Sequence, residues 1–418
     1  MRNFAQRSGN IDTLTGLRSF LIIWIVLYHL KEELAVLLPW PPLLSFAAAG
    51  FAGVDFFFIL SGFVIAYSYA PRFKSFNLKN YGKFLWLRLA RIYPLHFITL
   101  GATILLVVAA NASGSELSYP EFYSLSGLIQ NLFLVQAWSL PTAFSWNAIA
   151  WAVSCEWLAY LLFPAIIAAT LRIRSSAYSA AATVAVLLLM AATCQGLDVN
   201  WQAIRGAGSY GVLRIAGEFV AGCLLYNLYA ARWGYRWRGL ATTTGIVTVA
   251  GITVVSTPNI LSNQLGSIIG TPDQLDALWL TPLCAIAIYL LAWEKGAIAH
   301  LCSTRIAMKG GELSYALYIT HFLCLIVLRR ALPLERFAEM DLMVKTAALL
   351  GYLGVMVVVA IAANHLIEEP SRRWMKGLIT PKQPAVAAVP EAVVLSTVEV
   401  AAQANALPSH RPHSSPGR

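Results

Sequence analysis

Residues 14–30 read LTGLRSFLIIWIVLYHL, and residues 53–63 read GVDFFFILSGF. Both are apolar runs interrupted by ionisable groups, Arg18 and His29 in the first and Asp55 in the second. The first run extends to about residue 37 and the second from about 45 to 69, enough to cross a hydrocarbon core of roughly 30 Å, which takes about 20 helical residues. Comparable runs follow at about 90–110, 146–170, 176–194, 210–230, 239–257, 276–293, 312–331 and 344–367. Over 418 residues the chain is 58% hydrophobic and 12% charged, against about 25% charged in globular proteins, and its mean hydropathy is +0.65. These values exclude a soluble enzyme, a disulfide-stapled secreted domain and a disordered scaffold. The sequence predicts an all-α polytopic membrane protein of about ten transmembrane helices.

The connecting segments orient the spans. Arg72, Lys74, Lys79, Lys83, Arg88 and Arg91 crowd residues 70–91, whereas 111–145 holds no basic residue. Arg172 and Arg174, then Arg232, Arg236 and Arg238, then Lys295, Arg305 and Lys309 continue an alternation with poorer loops. Basic loops stay cytoplasmic, so an even number of spans places both termini in the cytoplasm. One loop dissents, since 329–345 should be external yet carries Arg329, Arg330, Arg336 and Lys345. The formal charge of +10 therefore speaks for topology and membrane lipids, not for nucleic acid. Residues 1–13 read as a cytoplasmic N-terminus, 14–375 as the membrane domain and 376–418 as a disordered cytoplasmic tail. Residues 121–139 are too short and mixed for a span and suit a re-entrant or interfacial piece. No cleavable signal pattern is visible, and the six scattered cysteines suggest neither a disulfide framework nor a metal site.

Ionisable groups at bilayer depth cost about 2.5–3.5 kcal/mol each on insertion scales, so each is a candidate for function. Eleven residues advance a helix about 20° past three turns, which puts Arg18 and His29 on one face about 16 Å apart. His29 suits proton transfer near neutral pH, and equally suits a packing histidine bonded to a neighbouring helix. Asp55 could orient a histidine or hold structural contacts, with Gly62 on its face offering a close helix approach. Arg88 and Arg91 suit phosphate binding or topology-setting at the headgroups. His96 beyond them reads as a satisfied helix histidine.

In WNAIAWAVSCEWLAYLLFP, Asn147, Trp151 and Ser154 form one stripe, and Glu156 points about 200° from Ser154. A distorted helix or a structural Ser154 would reconcile them. Glu156 needs a partner or a neutral form at this depth. Arg214, Glu218 and Gly222 suit an intrahelical ion pair along a narrow stripe. Ser314, Tyr318 and His321 make a further polar stripe, with His321 either lining a cavity or bonding Tyr318 or another helix. Glu368, Arg372 and Arg373 read as a helix terminus with its counter-charges.

In this order the segments resemble the acyltransferase-3 family of integral membrane acyltransferases. The likeness rests on Arg18…His29, the run from Gly53 to Phe63, Arg88–Pro94, Trp151/Ser154/Glu156, and the elements at 214–222, 314–321 and 368–370. It covers about residues 11–375. Ala152, Trp157 and Thr15 depart from the family's usual Ser, acid and Asp. The resemblance implies transfer of an acyl group, usually acetyl, from cytoplasmic acyl-CoA to a hydroxyl of a cell-surface or lipid-linked glycan, in the plasma (bacterial inner) membrane. On that basis Arg18, Arg88 and Arg91 would hold the CoA phosphates and His29 would be general base, its tautomer fixed by Glu156 or Asp55. Trp151, Ser154, Tyr318 and His321 would line the cavity, with no metal involved. A covalent acyl-enzyme and a transporter or flippase of a glycan or small metabolite are the alternatives left open.

Overall fold

Helix α1 (Asp12–His29) packs along the longest uninterrupted helix of the C-terminal half, residues Arg305–Ala331. That contact is made possible by Gly311, and a second glycine, Gly16, seats α1 against the backbone just before that helix. A Cβ on Gly311 would overlap the Thr15 carbonyl, and one on Gly16 would overlap the Cys302 carbonyl. The computed structural model describes residues 11–114, 120–139, 145–196, 210–255 and 278–379, and among these the regular structure is entirely helical. Most of the expected tail lies outside the described residues.

After α1 come α2 (Lys31–Leu37), α3 (Pro41–Ala48), α4 (Gly53–Tyr69), α5 (Leu78–Ala112), α6 (Leu125–Leu132), α7 (Trp151–Thr170) and α8 (Ser176–Gly196). The second half holds α9 (Gly211–Ala230), α10 (Ala241–Val255), α11 (Thr281–Leu291), α12 (Ala297–Cys302), α13 (Arg305–Ala331), α14 (Leu334–Glu339), α15 (Leu342–Ala363) and α16 (Glu369–Ile379). Eight helical stretches among the described residues are long and apolar enough to span a membrane. The two other expected spans correspond to α1, which carries Asp12, Arg18 and His29 within 18 residues, and to the 11-residue α11.

The first span is shorter than expected. It ends at His29 rather than near residue 37, because the chain breaks at Leu30 and restarts as α2. The break turns Glu32 and Glu33 toward Arg329 at the end of α13, with contacts of 3.1 and 2.7 Å. Arg329 also donates to the His29 carbonyl at 3.1 Å, filling an orphan acceptor at the C-terminus of α1. This pairing explains part of the dissenting loop, since Arg329 is neutralised within the fold and is not a free topology signal.

A second glycine crossing joins α4 to α9. A Cβ on Gly62 would overlap the Phe219 carbonyl, and one on Gly222 the Ile59 carbonyl. Small residues at such crossings let backbones meet where no hydrophobic effect drives helices together. The close approach expected at Gly62 is therefore real. Residues 121–139 fold as the short α6 followed by turns, pinned to α5 by His96 Nε2 and the Asn131 carbonyl at 2.9 Å. The last span widens into a π turn at Asn364–Glu368 before α16.

Candidate active site

Five helices contribute to one cavity of about 140 Å³, room for several waters or a small organic group. Arg18 enters from α1, Ser61 from α4, Arg88 and Arg91 from α5, Glu156 and Tyr160 from α7, and Ser314, Tyr315 and Tyr318 from α13. Apolar walls are supplied by Phe57, Phe58, Val64 and Ile92. Three guanidinium groups thus line one cavity, although Arg18 lies seventy residues before Arg88 in sequence.

The three arginines are held differently. Arg91 pairs with Glu368, which is buried in the π turn and also accepts from Asn364 Nδ2 at 3.2 Å. Glu368 is therefore a buried partner of a cavity arginine, where its sequence context suggests a helix terminus paired with Arg372 and Arg373. Arg88 donates from Nη2 to the Tyr69 hydroxyl at 3.0 Å, while its buried Nε has no partner among the described residues. Arg18 makes no hydrogen bond or ion pair among the described residues, though its charge is felt by Glu156, Arg88 and Arg91. The Glu156 carboxylate accepts from the Tyr160 hydroxyl at 3.1 Å. An unused fork on Arg18 and an orphaned N–H on Arg88 are what a phosphate-bearing ligand would complete.

His29 stands outside this cavity, further along α1, against His321 of α13. The two rings lie 4.9 Å apart between centroids, with His321 Nε2 3.2 Å from His29 Nδ1. His321 Nδ1 faces the Tyr318 carbonyl at 2.7 Å and the Leu317 carbonyl at 3.1 Å. His29 Nδ1 also faces the Ile25 carbonyl at 2.9 Å. Tyr318 joins the two regions: it is part of the cavity lining, its hydroxyl donates to the Ile149 carbonyl at 2.9 Å, and its carbonyl holds His321.

Several sequence expectations are redrawn. Asp55 orients no histidine; it accepts two hydrogen bonds from Arg214 of α9, at 2.9 and 2.6 Å. Arg214 consequently pairs between helices and not with Glu218, whose buried oxygens have no partner among the described residues. Glu156 is held by Tyr160 and does not touch His29 in any described contact. Trp151 lies outside the cavity lining, with the Arg214 guanidinium 5.3 Å from its ring. Ser154 is structural: it donates to the Leu134 carbonyl at 2.8 Å and accepts from the Ala137 N–H at 3.2 Å. It thereby secures Leu134, a non-glycine residue at φ 56°, in the left-handed region that needs outside support.

Sequence reasoning missed Ser61, Tyr69, Tyr160 and Tyr315. Tyr160 had a readable signal, because it lies one turn from Glu156. Tyr69, Ser61 and Tyr315 had none, since polar residues in apolar runs are common and only the helix packing aims these inward.

A helical membrane protein that gathers three arginines, a carboxylate and hydroxyls around one cavity has the makings of a reaction site. Residues 11–365 match the family model described as "Acyltransferase domain", and the chain belongs to this acyltransferase-3 family. It is a multi-pass membrane O-acyltransferase, so the transport reading of its buried charges gives way. The chain is 25% identical to "Acyltransferase MdmB" of Streptomyces mycarofaciens over 387 residues, 88% of this chain and 93% of that protein. It is 24% identical over 236 residues to "Putative peptidoglycan O-acetyltransferase YrhL" of Bacillus subtilis, 54% of this chain and 34% of the relative. Against "O-acetyltransferase OatA" of Staphylococcus aureus the identity is 22% over 330 residues, 74% and 49% of the two chains. No solved structure matches the chain significantly.

Proposed function

We propose that this O-acyltransferase takes its acyl group, acetyl in the simplest case, from acyl-CoA on the cytoplasmic side of a bacterial inner membrane, where both termini also lie. The acceptor is a hydroxyl of a cell-surface or lipid-linked glycan, a class suggested by the relative named for peptidoglycan O-acetylation. The observation that carries the donor reading is the convergence of Arg18, Arg88 and Arg91 on one cavity. Their forks suit phosphate oxygens, and the buried Nε of Arg88 has no partner among the described residues. The apolar wall of Phe57, Phe58 and Val64 suits a flexible, weakly polar arm leading away from the phosphates.

The donor supplies an activated acyl carbon and a good leaving group. His29 Nε2 takes the proton of the acceptor hydroxyl as that oxygen bonds to the acyl carbon, and the carbon–sulfur bond breaks. The same proton then passes from His29 to the departing thiolate, so protein and charge return to their starting state. Glu156, set among the arginines with Tyr160, balances their charge and keeps the cavity polar.

The test is transfer of label from [14C]acetyl-CoA to base-labile envelope material by membrane vesicles containing the full chain. Label above that of vesicles without the protein is the expected result, and none above that background would refute the reading.

A further inference from the structure

Hydrogen-bond chemistry fixes both histidine tautomers. Backbone carbonyls accept only, so His321 Nδ1, at 2.7 Å from the Tyr318 oxygen, must carry hydrogen. In the neutral ring its Nε2 then presents a lone pair. His29 Nδ1 faces that lone pair at 3.2 Å and the Ile25 carbonyl at 2.9 Å. It too must carry the hydrogen, shared between two acceptors. The remaining nitrogen of His29, Nε2, is therefore the unprotonated one.

We infer that His321 is the positioning residue of the catalytic base: it fixes His29 in the tautomer that leaves Nε2 free to take a proton. This rests on the reading of His29 as general base. It assigns to a second histidine the place that a carboxylate fills in hydrolytic triads. The carboxylates that could have competed are engaged elsewhere, Asp55 with Arg214 and Glu33 with Arg329.

The surroundings make the arrangement rigid. His321 is fully buried, and α1 and α13 are held in close approach where Gly311 meets the Thr15 carbonyl and Gly310 meets the Ser19 side chain. Arg329 holds the His29 carbonyl from the far side. When His29 gains a proton at Nε2, its Nδ1–H keeps both acceptors, so the ring need not turn between taking the proton and returning it. His321 changes neither protonation nor position during the cycle. The link through the Tyr318 backbone also ties the base to the cavity wall, because the same residue is part of the cavity lining.

Two substitutions separate positioning from packing. His321→Asn can replace the Nδ1 contact to the Tyr318 carbonyl but is too short to reach His29. His321→Gln can place an amide oxygen near the Nε2 position, where it accepts from His29 Nδ1. The measurement is the initial rate of label transfer from [14C]acetyl-CoA in membrane vesicles, at saturating donor and matched protein, with the donor concentration for half-maximal rate taken in parallel. We expect His321→Asn to lower the saturating rate by about 100-fold, less than the roughly 10⁴-fold lost when a triad's charged orienting group is replaced, because His321 is a neutral acceptor. His321→Gln should recover at least about tenfold of that loss, with half-saturation unchanged within about twofold in both. An Asn variant as active as wild type, or a Gln variant no better than Asn, would overturn the assignment while leaving the acyltransfer reading in place. Failure of the wild-type chain to transfer label would bring down both together.

Discussion

Arg214 donates from both Nε and Nη2 to a single oxygen, Oδ1 of Asp55, at 2.9 and 2.6 Å, and both side chains are buried. The pair ties α9 to α4 about two turns of α4 from the Gly62–Gly222 crossing, so it belongs to the scaffold of the cavity. Breaking a buried ion pair by removing one partner costs about 3–5 kcal/mol, because the other charge is left uncompensated. We expect Asp55→Ala to fall at the low end, since Glu218 lies one turn from Arg214 and can take up its guanidinium. Thermal unfolding in detergent should show the loss, and Asp55→Ala combined with Arg214→Met should recover most of it. An Asp55→Ala protein with wild-type stability and no activity would instead mark Asp55 as part of the chemistry.

Ser154 gives a contrasting case. Its hydroxyl bonds the backbone at Leu134 and Ala137 and reaches no cavity atom. Ser154→Ala should lower stability by about 1–3 kcal/mol, the cost of leaving buried backbone groups unsatisfied. Its rate per folded molecule should stay within about twofold of wild type, as for a change outside the reacting groups. A folded but inactive variant would point to an acyl-serine intermediate.

The arginines differ in what their loss leaves behind. Arg18→Ala orphans no partner, so its effect should fall on donor binding, raising the half-saturating acyl-CoA concentration by about 10- to 100-fold for one lost charge-assisted contact of roughly 1.5–3 kcal/mol. Arg91→Ala strands Glu368 and should also destabilise the fold, by about 3 kcal/mol. Donor titrations of the labelled-transfer rate, with unfolding curves for both variants, check the pair. Unchanged half-saturation in Arg18→Ala would remove it from the donor site.

The pattern of legible and illegible features follows interaction range. Helix periodicity is local, so the apolar spans, the shared face of Arg18 and His29, and the close approach at Gly62 could all be read directly. The Leu30 break was not legible, because the contacts that accompany it are made to Arg329, about three hundred residues away. For the same reason the spacing of Arg214 and Glu218 suggested an intrahelical pair, when the stronger partner was Asp55 on another helix. Ser154 resembled a site residue until the turns after α6 folded onto it. The His29–His321 pair lay between these limits: both residues stood out in the sequence, and only the packing of α1 on α13 showed that they are in contact.

The central claim is that this chain acylates a hydroxyl of a surface glycan and that His29 removes the proton. The most direct measurement is the O-acyl ester content of surface glycans, by proton NMR and base release, in three strains. These are a deletion strain, the same strain carrying the wild-type chain, and the same strain carrying His29→Ala at matched expression. The account predicts an ester that is lost on deletion, restored by wild type and not restored by His29→Ala. An ester restored equally by His29→Ala would contradict the assignment of the base, and an ester content unchanged by deletion would contradict the glycan acceptor itself.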